Sequence, residues 1–434
     1  MPTTAEIRLW GRTIAAVSLE DGQSVAAFQF DPAFVGSGIE LAPFMMPLAS
    51  RIYTFPALAK RSFHGLPGLL ADSLPDKFGN ALVDAWLATQ GRTSESFNAV
   101  ERLCYTGARG MGALEFAPVS GPRAQKASVL ELDALVSLAS QILTHRNSLK
   151  NSFASDERHS ALVEILKVGT SAGGARAKAI IAWNPTTHEV RSGQVKAPEG
   201  FGYWLLKFDG VSGNKDKELE DPKGFTVIEY AYSQMARAAG IEMTQCELLE
   251  EGGRRHFVTK RFDRTDTGEK LHMQSLAALM HLDFNMADVY SYEQAFDCIK
   301  RLALPMDARE EQFRRMIFNV VARNQDDHVK NIAFLMDKSG LWRLAPAFDV
   351  TYAYNPEGEW TRAHQMSING KRDGFTLEDF RECAKTAGLK RGRSDRLLEK
   401  VLTAVKSWPA LAEAAQVPAK HREAIAATHR LEFR

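Results

Sequence analysis

The stretch Asn324-Gln325-Asp326-Asp327-His328-Val329-Lys330-Asn331 places an aspartate five residues before an asparagine, and Asp349 follows in Ala345-Pro346-Ala347-Phe348-Asp349. This order limits what the chain can fold into more than any other feature. A carboxylate that accepts a proton from a hydroxyl, an amide five residues on and a second carboxylate beyond a short hairpin are the parts of a phosphoryl-transfer site. The intervening sequence reads as that hairpin. Residues 332–336 are apolar, Asp337-Lys338-Ser339-Gly340 is turn-like, and residues 341–344 resume a strand.

The spacing favours Asp326 over Asp327 as the base, because only Asp326 is five residues from Asn331. A polar loop that caps a helix is the plainer reading of Asp-Asp-His alone. Asn331, the hairpin and Asp349 together move the balance to catalysis. Asn331 and Asp349 are then the candidate metal ligands. His328 reads as a packing or hydrogen-bonding residue, since one His beside two Asp is a weak zinc signal.

A chain of 434 residues is too long for one ordinary core, so two or three domains are expected. Its net charge of +1 gives no bulk electrostatic case for binding nucleic acid or membrane. Cys104, Cys246, Cys298 and Cys383 lie far apart with no CxxC pair, which argues against a disulfide framework or zinc site. Glu6, Arg8 and Arg12 interrupt the N-terminus, and no apolar run approaches membrane-spanning length. The expectation is a cytoplasmic protein.

The first stretch is β-rich, with strands expected at residues 7–10, 14–19 and 25–30 and a turn at Asp21-Gly22. Leu74-Pro75-Asp76 precedes an expected helix through Phe78, Leu82, Val83 and Trp86, and a Gly-rich segment spans 106–112. Another helix runs through Leu130, Leu135, Leu138 and Ile142. Strands are expected at 179–183, 202–207 and 258–262, and the alternating charges of 212–223 suggest a solvated connection. Thr226 and Glu229 have capping-box spacing at the start of a helix that Gly240 ends. Phe313, Met316, Ile317, Val320 and Val321 form one helical face leading into the Asp326 loop. Later helices are expected at 377–387 and 397–405. The fold class is therefore α+β: a two-lobed, protein-kinase-like fold with a β-rich N-terminal lobe, an extra small subdomain and a helical C-terminal lobe. The divisions fall at 1–120, 121–262 and 263–434.

Gly169-Thr170-Ser171-Ala172-Gly173-Gly174-Ala175-Arg176-Ala177-Lys178 precedes a strand. Glycines let backbone N–H groups approach phosphate. The stretch lacks the Gly-Lys-Ser/Thr ending of Walker A and the GxGxxG of ordinary protein kinases, and alone it would read as a flexible turn. Lys207 ends an apolar strand and can reach phosphates, or snorkel to solvent. Glu229 can pair with it or serve the helix cap. Lys260-Arg261-Phe262-Asp263-Arg264 marks the passage from β-rich to helical sequence, where a hinge belongs. Backbone there can meet adenine and a carboxylate just beyond can hold ribose. An interlobe salt-bridge cluster is the other reading.

Taken together, these residues resemble the HipA family of bacterial serine/threonine kinase toxins over nearly the whole chain. The resemblance implies ATP and magnesium as cofactors and Asp326 as catalytic base. Asn331 and Asp349 would bind magnesium, and Lys207 the phosphates. Lys260 and Phe262 would offer backbone to adenine, and Asp263 would hold ribose. Ser171, Gly173 and Gly174 would lie in the phosphate loop, with Ser171, or the adjacent Thr170, as a site of inactivating autophosphorylation. Many relatives carry proline where this chain has Ala177, which implies a looser loop. The family also implies a HipB-like helix-turn-helix antitoxin that binds operator DNA, and glutamate–tRNA ligase as a target. A small-molecule phosphotransferase of the aminoglycoside type and a non-catalytic binding protein with this fold are the alternatives.

Overall fold

The computed structural model describes residues 3–121, 130–144, 165–166, 168, 176–194, 197–211, 215–216, 219–220 and 223–434. It opens with β1 (Thr3–Leu9) and β2 (Arg12–Leu19), joined by Trp10-Gly11. Both turn residues take positive φ, 50° and 81°, the geometry that lets a two-residue turn follow the strands' twist. Trp10 thus belongs to a turn, not to the expected strand. β3 (Ala27–Phe30), β4 (Ile52–Tyr53) and β5 (Leu114–Ala117) complete an antiparallel sheet in the order β4-β3-β2-β1-β5. Alternation turns Ala5, Ile7, Leu9, Phe28 and Phe30 into its core.

The second sheet comprises β6 (Lys178–Trp183), β7 (Val190–Ser192) and β8 (Gly202–Lys207). Within the stretch expected to be a plain connection, β9 (Lys215–Asp216) and β10 (Leu219–Glu220) form a ladder of their own. β11 (Cys246–Glu251) and β12 (Arg254–Lys260) complete the second sheet, in the order β11-β12-β8-β6-β7. One face presents Ala179, Ile181, Trp183, Trp204 and Leu206 to a core shared with the helices Lys77–Thr89 and Leu132–Thr144. Helix Lys77–Thr89 therefore packs with the second sheet. The opposite face carries Lys178, Ile180, Leu205 and Lys207, since Lys178 is in register with Lys207 and Ile180 with Leu205.

Below this sheet the chain is largely helical. Phe225–Ala238, Tyr292–Arg301, Met306–Val321, Leu377–Ala387 and Arg393–Lys406 close around Tyr232, Phe296, Phe313 and Trp408. The expected hairpin is β14 (Ala333–Met336) and β15 (Trp342–Leu344), and β13 (His272–Ser275) adds a third strand beside β14. All four cysteines are buried with free thiols.

The N-terminal region is tied to this lower lobe by long-range polar contacts. Trp10 Nε1 donates to the Lys270 carbonyl at 2.7 Å, Trp342 Nε1 to the Glu40 carbonyl at 3.2 Å, and Gln274 Nε2 to the Leu41 carbonyl. The Gly68 N–H donates to His281 Nε2 at 3.0 Å. A Cβ on Gly68 would lie 2.4 Å from the Ala278 carbonyl oxygen, so only glycine permits this approach.

Candidate active site

Met306–Val321 delivers the chain into the Asp326 loop, which docks on the segment after Asp349. Asn324 bridges Ala353 in parallel, with Gln325 N–H donating to the Ala353 carbonyl at 3.1 Å. The two neighbouring aspartates then part company. Asp327 is buried and accepts from Tyr292 Oη at 2.6 Å, from His364 Nδ1 at 2.8 Å and from the Gln365 N–H at 2.8 Å. Burial would raise its pKa, but His364 and these donors hold it below the usual carboxylate value. It anchors the loop. Asp326 is half-buried, and its backbone carbonyl accepts from Asn331 Nδ2 at 2.8 Å. That bond fixes the asparagine amide and leaves its oxygen for a ligand.

Asp349 takes a left-handed conformation, φ 51°, which aspartate tolerates better than most residues. Its carboxylate meets Lys207 Nζ, which also donates to Glu229 Oε1 at 2.6 Å. Lys207 and Glu229 are buried, while the Asp349 side chain is 32% exposed. Burial would lower the Lys207 pKa, yet Asp349 and Glu229 outweigh it and hold the ammonium well above its ordinary value. Burial would raise the Asp349 pKa, yet Lys207, Lys178 and Arg176 keep the carboxylate ionised, far below its ordinary value. The Glu229 question is thus decided in favour of Lys207. Helix Phe225–Ala238 starts at Gly224 with no side-chain cap, and Thr226 Oγ1 instead donates to the Arg255 carbonyl.

Asn331 and Asp349 offer hard oxygen donors. Among the described residues no three His, Cys, Asp or Glu side chains cluster as a metal cage. Magnesium often takes one or two protein oxygens and completes its shell with phosphate oxygens and water, so this pair fits it.

The HipA-like C-terminal domain family matches residues 170–408, and the HipA N-terminal domain family matches residues 5–117. The chain belongs to the HipA family. A solved complex of HipA, HipB and operator DNA from Shewanella oneidensis contains a chain with TM-score 0.67 and 16% identity, covering 98% of this chain and 94% of that one. The expected two-lobed, protein-kinase-like α+β fold is therefore the one found. A Haemophilus influenzae putative kinase is 27% identical over 138 residues, 28% of this chain and 39% of that protein's length. The Helicobacter pylori proinflammatory kinase CtkA aligns at TM-score 0.38 and 13% identity, over 59% of this chain and 90% of that one.

Within this HipA fold the hinge differs from its sequence reading. The Asp263 carboxylate is wholly buried, and accepts from Arg261 Nε at 2.9 Å, Arg264 Nη1 at 2.7 Å and the Gly112 N–H at 2.7 Å. Burial opposes ionisation, but the two guanidinium groups hold the carboxyl far below its usual pKa. In this conformation Asp263 belongs to an interlobe cluster, as in the alternative reading, joined to the 106–112 loop. The Lys260 N–H is spent on the Gln245 carbonyl at 2.8 Å, and Lys260 Nζ pairs with Asp266 at 2.6 Å. A cavity of about 230 Å³ opens beside the hinge, lined by Tyr203, Gln245, Lys260, Arg261 and Arg264 among others. The Phe262 ring packs on Phe348, centroids 5.6 Å apart, linking hinge to metal-side loop. Ser171, Gly173 and Gly174, with Thr170, lie outside the described residues.

Sequence reasoning gave no role to two cations beside the site. Lys178 sits in register with Lys207. Arg176 lies 4.0 Å from Glu229 and over the Phe225 ring. Strand alternation from Lys207 would have found Lys178 only once the β6–β8 register was known.

Proposed function

We propose that this protein is an ATP- and magnesium-dependent serine/threonine protein kinase, the toxin of a toxin–antitoxin pair. One observation carries the reading: buried Lys207 joins buried Glu229 to a partly exposed Asp349 on the cleft face of the second sheet. A fixed cation beside an ionised carboxylate is what nucleotide phosphates and their metal require. Magnesium, held by Asn331 and Asp349, would neutralise charge on the phosphates. Asp326 accepts the proton of a substrate hydroxyl, whose oxygen bonds to the γ-phosphorus as the bond to the bridging oxygen breaks and ADP leaves. Lys260 and Phe262 border the adenine site through backbone groups.

The HipA family resemblance supports three further parts of the reading. Ser171 is the autophosphorylation site that shuts the enzyme down, because a phosphate of charge about −1.5 to −2 would compete with ATP in the Gly-rich loop. A helix-turn-helix antitoxin is the partner and carries operator DNA, as HipB accompanies HipA in the Shewanella complex. Glutamate–tRNA ligase is the first target to test. Among the described residues no helix is long and apolar enough to cross a membrane.

Mass spectrometry after incubation with ATP and magnesium tests the core of this reading. Phosphate at Ser171 in the wild type, absent from Asp326→Ala, is the expected result. Equal phosphate in both would assign its transfer to another kinase. Failure of ATP to raise the thermal midpoint would leave a non-catalytic binding protein.

A further inference from the structure

Residues 70–76 carry two carboxylates that the reaction itself does not use, and they reach opposite sides of the cleft. We propose that this segment is a strut across the cleft, in which Asp76 positions Lys178 on the upper wall and Asp72 positions the catalytic loop on the lower wall. The inference deepens the kinase reading and rests on it for its catalytic consequence.

On the upper side, Asp76 Oδ2 lies 3.4 Å from Lys178 Nζ, with both side chains buried. Asp76 Oδ1 accepts the Gly79 N–H at 2.5 Å, so the carboxylate is held at the start of helix Lys77–Thr89. Lys178 is thereby fixed beside Lys207, its register partner. Without Asp76, the buried Lys178 ammonium would lose the carboxylate that lies 3.4 Å from it.

On the lower side, Asp72 accepts from the Ser275 N–H at 2.7 Å and the Ser275 hydroxyl at 2.9 Å. Ser275 caps the short helix Leu276–Met280. The first two amides of that helix hold the catalytic loop: Leu276 N–H donates to the Ile332 carbonyl at 2.8 Å, and Ala277 N–H to the Val329 carbonyl at 3.2 Å. These bonds bracket Lys330 and Asn331. Lys330 Nζ also lies 3.9 Å from Asp72 Oδ1 and over the Phe284 ring. A continuous set of bonds therefore runs from Asp72 to the metal-binding asparagine.

Between the two carboxylates lie only Ser73, Leu74 and Pro75. Ser73 N–H donates to the Leu70 carbonyl at 3.0 Å and Leu74 N–H to the Ala71 carbonyl at 3.2 Å, which makes a compact turn. Pro75 fixes one backbone angle. The contact between Gly68 and Ala278 fixes the segment's origin on the lower lobe. A short, stiff element anchored at both ends opposes relative motion of the two walls.

The test compares the full-length wild type with Asp72→Asn and Asp76→Asn. Asp76→Asn should raise KM for ATP and leave kcat near wild type, whereas Asp72→Asn should lower kcat and leave KM near wild type, each by about tenfold to a hundredfold. A contact that merely supported the fold would shift the thermal midpoint without this split. Hydrogen exchange provides a readout independent of activity. Asp72→Asn should expose the Leu276 and Ala277 amides to faster exchange, with Asp76→Asn leaving them protected. Wild-type kinetics and unchanged exchange in both variants would overturn the strut. If the exchange result holds but the wild type transfers no phosphate, the kinase reading falls and the strut stands.

Discussion

Two ion clusters, each with an aspartate paired to cations, flank the second sheet's edge toward the lower lobe. In one, Lys207 joins Glu229 to a partly exposed Asp349. In the other, Arg261 and Arg264 enclose an Asp263 with no exposed surface. Both hold a carboxylate far below its ordinary pKa. The difference lies in what remains available. Asp349 keeps a face toward solvent, where the proposed phosphate and metal would arrive. Asp263 spends its oxygens on two guanidinium groups and the Gly112 amide. A depressed carboxylate pKa therefore marks charge pairing, and exposure separates a working site from a fastening.

The largest effect expected on this comparison is at the base. Asp326→Ala should cut phosphoryl transfer by roughly two to four powers of ten with little change in thermal midpoint. A large loss of midpoint would move Asp326 to the side of Asp327, among residues that hold the fold.

Asp263→Ala should act in the opposite sense. It leaves two buried guanidinium groups facing each other, and breaking such a cluster costs about 3–5 kcal/mol of stability, read by denaturant titration. A stable variant with weakened ATP affinity would erase the contrast and return Asp263 to the nucleotide site.

A smaller change is expected at Glu229→Gln. Losing one charge-assisted bond to Lys207 should weaken ATP binding by about 1.5–3 kcal/mol, measurable by calorimetry. Unchanged affinity would mean Asp349 alone suffices to aim the lysine.

The smallest effect is a pH dependence. The folded pKa of Asp263 lies below its unfolded value of about 3.9, so its contribution to stability is complete above that value. It fades as pH falls through the folded pKa. Asp263→Asn should flatten that acid limb of the stability curve. An equally steep limb in the variant would assign acid sensitivity to other carboxylates, Asp327 among them.

Local pattern made much of this legible. The five-residue spacing separated Asp326 from Asp327, and the helix Leu377–Ala387 and strand Gly202–Lys207 fall where periodicity put them. What local pattern left open or did not show was decided by non-local geometry. Glu229 has capping-box spacing, yet the helix begins at Gly224 and the carboxylate turns to a strand 22 residues earlier in the chain. Asp263 looks like a hinge carboxylate until Gly112, 151 residues away, is found bonded to it. β13 has a weak strand signature of its own and gains its place by pairing with β14. Asp72 and Asp76 gave no sign of reaching both walls, because neither partner is near them in sequence.

Gly68 against Ala278 has a consequence for how the molecule comes into being. The bonded neighbour of Gly68 at this contact, His281, is 213 residues later in the chain. During synthesis the first sheet can close on its own antiparallel neighbours. Its docking edge must wait until more than half the polypeptide has emerged. Glu40 and Leu41 wait in the same way for Trp342 and Gln274. Long loop closures of this kind are slow steps. The contacts that seat the early sheet on the lower lobe therefore form late, once residues 274–342 are present, and a nascent chain that stops before them carries that sheet without its docking partners.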